Sequence, residues 1–478
     1  MKTSIRGMGA IKEGEIEIKP LTVFIGPNNS GKTWTAYGIS SIVSQFSWGK
    51  YTELYLNSSL EEKYAEIEQT IETLLNNRNA SIDIVSFFKN NLDFYFNNLA
   101  KLSPLWMSEF LATNTVSFED LSFKIDAQNE AKYALDKLLC KSINVKICFD
   151  KEKESFLKIH KEEKSPVISF DVSTEINEEV STHIRYSLCR FIFQYMNQSL
   201  YRNVRYLPAE RTGFVVLLAS GIKDKMEIEE KNNEKVEDNS LEDNSSEDNE
   251  IETLMPYPIR DMINLLFIIK QPSEMNEILK ERMENKKLEK FFNLSTIFET
   301  KVMGGKLKYE EGAVIDGVSN LYYRFKERED LPLEMSVVSS TIKDLTPLSI
   351  YLKCFLNEGE LLVIDEPEMN LHPANQARFM EFLVMLVNSG IKVMITTHSP
   401  YMTNHLESLI KAYNSKKQDL ESLFYLGSRD AFISKEDVSV YYFGKKGIEN
   451  ILGENGNIDL DSFSEVSRDI SEIYYEIE

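Results

Sequence analysis

The most constraining feature of this sequence is a glycine-punctuated octapeptide at residues 26–33, which fits the pattern G-x-x-x-x-G-K-[ST] in full. Its residues are Gly26, Pro27, Asn28, Asn29, Ser30, Gly31, Lys32 and Thr33. The mainly apolar run at 21–25 before it is typical of a buried strand, and the residues from Trp34 onwards are typical of a helix. The sequence therefore predicts a strand, a phosphate-binding loop (P-loop) and a helix, in that order.

This loop predicts a binding site for ATP and Mg²⁺. Backbone N–H groups at the N-terminus of a helix converge on phosphate. In this arrangement Lys32 reaches the β- and γ-phosphates, and Thr33 ligates Mg²⁺. Gly26 and Gly31 are expected where a side chain would block the approach of the backbone to the ligand. The alternative is a surface turn that fits the pattern by chance, and two further motifs argue against it.

The second motif is an apolar strand that ends in two carboxylates. Residues 361–364 are apolar, and Asp365 and Glu366 follow them. Ligands of open parallel sheets bind at the carboxyl ends of the strands. We expect Asp365 to hold Mg²⁺ through water and Glu366 to polarise the water that attacks the γ-phosphate. A buried strand that ends in an acidic turn without catalytic function is the alternative, and the P-loop in the same chain disfavours it.

The third motif is a further segment typical of a buried strand, at 393–397, followed at once by His398. We expect His398 to donate to the γ-phosphate and so to sense whether ATP or ADP is bound. A structural histidine is the alternative. That interpretation is the one we give to three others, which lack a comparable context: His160, His183 and His405. The predicted catalytic residues are therefore Lys32, Glu366 and His398.

In this order the three motifs resemble the ATP-binding-cassette (ABC) ATPases of the SMC, RecF and overcoming-lysogenization-defect (OLD) type. Within that group the sequence is similar to stand-alone bacterial AAA-type ATPases, several of which belong to anti-phage defence operons. The resemblance covers residues 1–48 and about 203–404. It implies an α/β P-loop NTPase, with an ABC-type head, a mostly parallel central sheet, additional antiparallel strands and a large helical insertion.

The resemblance also implies a site shared between two subunits. Ser339 and Ser340 occupy the place of the signature sequence, which in this family reaches the nucleotide of the opposite subunit. A homodimer or higher homo-oligomer is therefore expected, although Thr341 stands where a glycine-rich signature would continue. Residues 370–373 resemble the loop that crosses the dimer interface. Glu210 lies where a polar residue, usually glutamine, would couple Mg²⁺ to the inserted lobe.

Changes in sequence character predict how the chain is divided. The predicted regions are a split ATPase core at 1–48 and 203–478, a mostly helical insertion at 50–200, and an acidic disordered loop at 227–252. Other predicted elements are strands at 15–19, 143–149, 156–160, 166–170 and 204–211, helices at 60–75, 258–292 and 463–477, and antiparallel strands within 304–335.

Composition limits the compartment and the partners. The chain has 54 Lys and Arg against 76 Asp and Glu, a formal net charge of -22, which disfavours a surface that binds nucleic acid throughout. Its four cysteines lack paired spacing, which argues against a disulfide framework and suits a reducing cytoplasm. We expect no signal peptide, and no run approaches the roughly 20 apolar residues of a membrane span. A cytoplasmic protein without a membrane partner is predicted.

Two functions remain open. One is a nucleotide-gated sensor or scaffold in anti-phage defence, which acts through a separate effector such as a nuclease or toxin. The other is a DNA-binding ATPase of repair or chromosome maintenance, of the RecF or SMC kind; a transporter subunit is a distant third. OLD nucleases carry a nuclease domain after the histidine motif, and residues 399–478 are short for one, with Asp459 and Asp461 as the nearest match. Cutting activity is therefore expected in a partner protein.

Overall fold

The computed structural model describes residues 1–57, 63–126, 136, 138–150, 155–219, 255–267, 272–309 and 321–459. The predicted acidic loop at 227–252 and the predicted helix at 463–477 lie outside the described residues, as does Asp461. The described helices include none that is both long enough and apolar enough to cross a lipid bilayer.

The strands of the described residues are β1 (Lys2–Met8), β2 (Ile11–Glu17), β3 (Leu21–Ile25), β4 (Asn79–Asp83), β5 (Ser122–Asp126), β6 (Ile143–Asp150), β7 (Ser155–Lys161), β8 (Val167–Val172), β9 (Val204–Leu207), β10 (Gly305–Tyr309), β11 (Leu321–Phe325), β12 (Arg328–Glu334), β13 (Leu361–Asp365), β14 (Lys392–Thr397), β15 (Val438–Gly444) and β16 (Gly447–Asn450).

The α-helices are α1 (Lys32–Ile42), α2 (Gln45–Leu56), α3 (Ala65–Asn77), α4 (Ile84–Phe110), α5 (Glu178–Leu200), α6 (Arg211–Ala219), α7 (Tyr257–Phe267), α8 (Pro272–Glu284), α9 (Glu289–Ile297), α10 (Ser340–Cys354), α11 (Pro373–Asn388) and α12 (Pro400–Tyr413). A π-helical turn (Phe298–Met303) follows α9, and short 3-10 turns lie at Leu420–Leu423, Arg429–Ala431 and Lys435–Asp437.

The described residues form two compact units, the first within 1–8, 38–204 and 255–257 and the second within 9–37, 205–219 and 258–459. The first unit combines helices α2 to α5 with the antiparallel sheet β4–β8–β7–β6. The strands predicted at 143–149, 156–160 and 166–170 are confirmed as β6, β7 and β8. The 27-residue α4 begins after Asp83, whose carboxylate accepts from the N–H groups of Val85 and Ser86.

The second unit contains a six-stranded sheet in the order β16–β15–β3–β14–β13–β9. Strand β3 pairs in parallel with β14 and β15, β14 pairs in parallel with β13, and β16 pairs antiparallel with β15. Every residue of β3 and β13 is buried, because their apolar side chains are covered on both faces of the sheet. The predicted α/β class with a mostly parallel central sheet is confirmed.

Other predicted elements of this unit differ in their limits. The antiparallel strands expected within 304–335 are confirmed as the sheet β10–β11–β12. The strand predicted at 204–211 is wrong beyond Leu207, because Pro208 has no N–H for a ladder and the chain turns into α6 at Arg211. The strand predicted at 15–19 begins earlier, as β2.

Candidate nucleotide-binding site

The three sequence motifs meet at one edge of the central sheet. In the register of the parallel strands, Ile25 lies beside Thr397, and Asp365 lies beside Thr396. The carboxyl ends of β3, β13 and β14 are therefore level. The P-loop, the acidic pair and His398 follow these three ends, which places them in one site.

Three residues of the P-loop have positive φ angles. Gly26, Asn29 and Gly31 have φ angles of 153°, 59° and 91°, in the region that favours glycine. A Cβ on Gly26 would lie 2.5 Å from the carbonyl oxygen of Phe443 in β15, so this glycine is required by a neighbouring strand and not only by a ligand. The hydroxyl of Ser30 is buried, and within the described part of the chain it has no hydrogen-bond partner. The loop thus offers a polar atom that a ligand can satisfy.

Lys32 is the first residue of α1 and is 5% exposed. Its Nζ donates to the carbonyl oxygens of Gly26 (3.1 Å) and Pro27 (2.8 Å). Burial lowers the pKa of Lys32, while the carboxylates of Glu366, Asp365 and Glu368 counteract this shift. Neutral carbonyls are weaker partners of an ammonium group than phosphate oxygens are. Lys32 is therefore held at the loop by two carbonyl oxygens, and phosphate oxygens would be stronger acceptors for its ammonium group.

Thr33 and Asp365 form the joint between the P-loop and the acidic strand. The hydroxyl of Thr33 donates to Oδ1 of Asp365 at 2.8 Å, and the hydroxyl of Thr396 donates to the same oxygen. Burial raises the pKa of Asp365, and these two hydrogen bonds lower it.

A hydroxyl and a carboxylate are oxygen ligands of the kind that Mg²⁺ prefers, so this pair fits the metal. Within the described residues, no group of three or more His, Cys, Asp or Glu side chains is suited to hold a metal ion. The remaining ligands of a Mg²⁺ ion at Thr33 and Asp365 would therefore be phosphate oxygens and water.

Glu366 and His398 face each other beside this joint. Nε2 of His398 lies 3.6 Å from Oε1 of Glu366, and the side chains are 28% and 35% exposed, so water reaches both. Burial lowers the pKa of His398, and the charge of Lys32 lowers it further. The imidazole is therefore neutral at neutral pH and able to donate one hydrogen bond. Glu366 has a φ of 46°, a left-handed conformation uncommon outside glycine, and its N–H donates to the carbonyl of Thr396 at 3.1 Å.

A family model described as an AAA ATPase domain matches residues 1–403 of the chain. The chain belongs to the AAA ATPase domain family. Among curated proteins, no significant match to this AAA ATPase was found.

Solved structures similar to the AAA ATPase include SMC head domains. One is the Smc head domain with an extended coiled coil bound to the C-terminal domain of ScpA, from Pyrococcus furiosus, at 12% identity over 98% of each chain with a TM-score of 0.33. Another is the SMC head domain from Thermotoga maritima, at 9% identity over 84% of this chain and 90% of that chain, with a TM-score of 0.28.

Arg211 is a residue of the site for which the sequence predicted no role. It is 3% exposed, and its Nη1 donates to the carbonyls of Pro208 (2.9 Å) and Asp365 (2.7 Å). Its Nη2 donates to the carbonyl of Glu366 at 3.0 Å. Burial lowers the pKa of Arg211, and the charges of Asp344 and Asp365 counteract this. One guanidinium thus ties the end of β9 to the turn that carries the two carboxylates.

Asp344 in α10 is a second residue that the motifs did not indicate. It is 2% exposed and accepts hydrogen bonds from the hydroxyl of Thr212 and from Nδ2 of Asn370, the latter at 2.6 Å. The hydroxyl of Thr341 donates to the carbonyl of Asn370 at 2.6 Å. The start of α6, helix α10 and the loop after the acidic strand are therefore joined around one buried carboxylate.

Glu368 holds the backbone of His398 by a hydrogen bond. Its Oε1 accepts the backbone N–H of His398 at 2.6 Å. Burial raises the pKa of Glu368, and the hydrogen bond from His398 lowers it. The Asp-Glu-Pro-Glu sequence therefore contributes a third carboxylate, which orients the histidine loop.

The other predicted site residues are Ser339, Ser340 and Glu210. Ser339 caps α10, its hydroxyl accepting from the N–H of Ile342 at 3.4 Å, and Ser340 begins the helix; both are exposed. In the described part of the AAA ATPase, no hydrogen bond joins either serine to the P-loop. Glu210 is exposed. Burial raises the pKa of Tyr37 well above its usual value, and the charges of Asp365 and Glu210 add to this, so both carboxylates lie near that phenol.

Proposed function

We propose that this AAA ATPase binds Mg²⁺-ATP at the P-loop edge of its central sheet and hydrolyses it to ADP and phosphate. The observation that carries the proposal is the 2.8 Å hydrogen bond between Thr33 and Asp365, which brings a hydroxyl and a carboxylate from distant parts of the chain together beside Lys32. The family match, the positive φ angles of the loop and its buried, unpartnered Ser30 hydroxyl among the described residues support it.

Each residue of the site has a distinct part in the proposed reaction. Thr33 and Asp365 would hold Mg²⁺, which when bound neutralises charge on the phosphates. Lys32 exchanges its loop carbonyls for phosphate oxygens. Glu366 orients the attacking water and accepts its proton, and neutral His398 donates to the γ-phosphate. Arg211 fixes the backbone at Asp365 and Glu366, so that both carboxylates point into the site.

We further propose that two copies of the chain close head to tail around two ATP molecules. Ser339 and Ser340 are exposed at the N-terminus of a 15-residue helix, where a hydroxyl and free N–H groups suit a phosphate of the opposite subunit. Hydrolysis is then slow in a monomer and gated by closure. Glu210 would connect Mg²⁺ with the insertion at 50–200.

The proposed role of this cycle is that of a nucleotide-gated sensor or scaffold in anti-phage defence, in the cytoplasm, with a separate effector protein. The alternative is a DNA repair or chromosome-maintenance ATPase. Purification from the native operon tests the first role, because an effector nuclease or toxin should co-purify and dissociate on ATP turnover. Hydrolysis that DNA stimulates with a steep salt dependence, without an effector, would favour the alternative.

The pair Thr33 and Asp365, where Mg²⁺ would bind, gives the most specific test of the proposed reaction. Thr33→Ala removes the hydroxyl that donates to Asp365, so we expect the Mg²⁺ concentration for half-maximal hydrolysis to rise at least tenfold, as commonly follows the loss of a metal-site ligand or its support. Thr33→Ser keeps the hydroxyl and should retain the Mg²⁺ response of the wild type. Steady-state phosphate release over a Mg²⁺ titration measures this. Equal Mg²⁺ dependence of the alanine and serine variants would contradict the assignment.

Arg211 should matter for both stability and turnover. Arg211→Lys keeps the charge but removes the guanidinium whose two nitrogens donate to the carbonyls of Asp365 and Glu366. We therefore expect a free energy of unfolding about 2 kcal/mol lower and a kcat at least tenfold lower. Denaturant unfolding and phosphate release measure the two effects. The matched control is Arg282→Lys, at a buried arginine that donates to the carbonyl of Leu356, which should lower stability without lowering kcat.

A further inference from the structure

A second pocket lies in the same unit, and none of its lining residues belongs to the candidate nucleotide site. It is formed by the π-helical turn after α9, the hairpin β11–β12, helix α11 and the loop after the Leu420–Leu423 turn. Its volume is about 490 Å³, within the range of pockets that hold small ligands. We call it the basic pocket and define it by Lys301, Phe325, Lys326, Arg328, Arg378 and Tyr425.

The charge of this pocket is opposite to that of the chain. Four cationic side chains line it against one carboxylate, that of Glu327, in a protein whose formal net charge is -22. Across the described residues, neither Lys301 nor Lys326 has a carboxylate within ion-pair distance, and Arg328 pairs only through its Nε, with Asp330 at 3.3 Å. An uncompensated cluster of this kind attracts an anionic ligand.

The pocket also presents two aromatic rings to solvent. Phe325 is 43% exposed and Tyr425 is 50% exposed. Tyr425 is held in place, because its N–H donates at 3.0 Å to the fully buried Glu381 and the guanidinium of Arg378 lies 5.5 Å from its ring centroid. Cations beside exposed aromatic faces are the combination with which proteins hold nucleotides, phosphate on the cations and base on the rings.

We infer that the basic pocket binds a nucleotide, with its phosphate on Lys301 and Lys326 and its base against Phe325 or Tyr425. The nucleotide is either free or a unit of single-stranded nucleic acid, since the same chemistry recognises both. An acidic peptide would satisfy the lysines and leave both rings unused. The two aromatic residues therefore favour a base-bearing ligand.

The binding experiment uses the full chain with Lys32→Ala, so that the P-loop does not contribute. A fluorescein-labelled oligothymidylate of about 15 nucleotides, in the range that single-strand sites cover, is titrated by fluorescence anisotropy at low salt. Unlabelled AMP and a polyglutamate peptide serve as competitors. We expect the oligothymidylate to bind and polyglutamate not to displace it. If AMP displaces the oligothymidylate at a comparable concentration of phosphate groups, the pocket is a site for free nucleotides. If the oligothymidylate binds and AMP does not displace it, the pocket is a site for nucleic acid.

Charge-reversal variants locate the binding. Lys301→Glu with Lys326→Glu should weaken oligothymidylate binding at least tenfold and lower the steepness of its salt dependence. Lys416→Glu with Lys417→Glu, an exposed pair outside the pocket, makes the same charge change and should leave affinity within twofold. Equal losses in the two double variants, or no binding of oligothymidylate to the unaltered pocket, would overturn the inference.

Aromatic variants test the stacking. Phe325→Ala and Tyr425→Ala together should weaken binding about tenfold or more, whereas Phe325→Trp should preserve it, because any large aromatic face stacks on a base. Thermal unfolding of each variant shows that it is folded. Wild-type affinity in the double alanine variant would show that the ligand is bound by charge alone, and the inference of a base site would then be wrong.

Discussion

Glu366→Gln is expected to lower kcat for ATP hydrolysis by about 10²- to 10⁴-fold while ATP still binds, the loss that follows removal of a general base. Glutamine has the size of glutamate but cannot accept the proton of the attacking water. The backbone at this residue is held by Thr396 and Arg211, so the substitution leaves the turn in place. The variant should therefore accumulate with ATP bound and, if closure needs ATP, as a dimer.

Single-turnover hydrolysis, equilibrium ATP binding and size-exclusion chromatography with and without ATP measure these effects. The matched control is Glu368→Gln, whose Oε1 can still accept the N–H of His398 and whose expected loss in kcat is less than tenfold. Normal turnover by the Glu366→Gln protein, or an equal loss in both variants, would show that Glu366 is not the base.

Lys32→Ala should have the largest effect on binding. A charge-assisted hydrogen bond contributes about 1.5–3 kcal/mol, so the loss of the contacts of one ammonium group with phosphate should weaken ATP binding about 100-fold or more. The same change relieves the cost of burying a charge but also removes the hydrogen bonds to the carbonyls of Gly26 and Pro27, so the free energy of unfolding without nucleotide should change little. A large loss of ATP binding without a matching loss of stability separates a binding defect from misfolding.

The measurement is the rise in melting temperature that Mg²⁺-ATP causes, which should be present in the wild type and lost in Lys32→Ala. Lys12→Ala, at an exposed lysine of the same unit, should keep the rise. A full ATP-dependent rise in the Lys32→Ala protein would mean that ATP binds elsewhere.

The sequence predicted the parts of the site that local pattern determines. Strand β3, the P-loop and the start of α1 lie within about twenty consecutive residues, and the strands before Asp365 and His398 contain the apolar runs 361–364 and 393–395. Level strand ends follow from parallel pairing, so the meeting of the three motifs could be anticipated.

Contacts between distant segments could not be predicted in this way. Arg211 bonds to carbonyls more than 150 positions later in the chain, and no pattern around it reveals which backbone it will meet. The role of Asp344 likewise depends on its hydrogen bonds with Thr212 and Asn370, which are distant in the sequence. The place of β15 beside β3, which makes Gly26 obligatory, was also not predicted, because β15 follows β3 by more than 400 residues.

The most direct test of the account is an experimental structure of the Glu366→Gln protein with Mg²⁺-ATP. We expect the γ-phosphate to contact Nζ of Lys32 and to lie near His398, with the metal on Thr33 and held by Asp365 directly or through water. Triphosphate bound away from this sheet edge, or a metal that neither Thr33 nor Asp365 approaches, would contradict it.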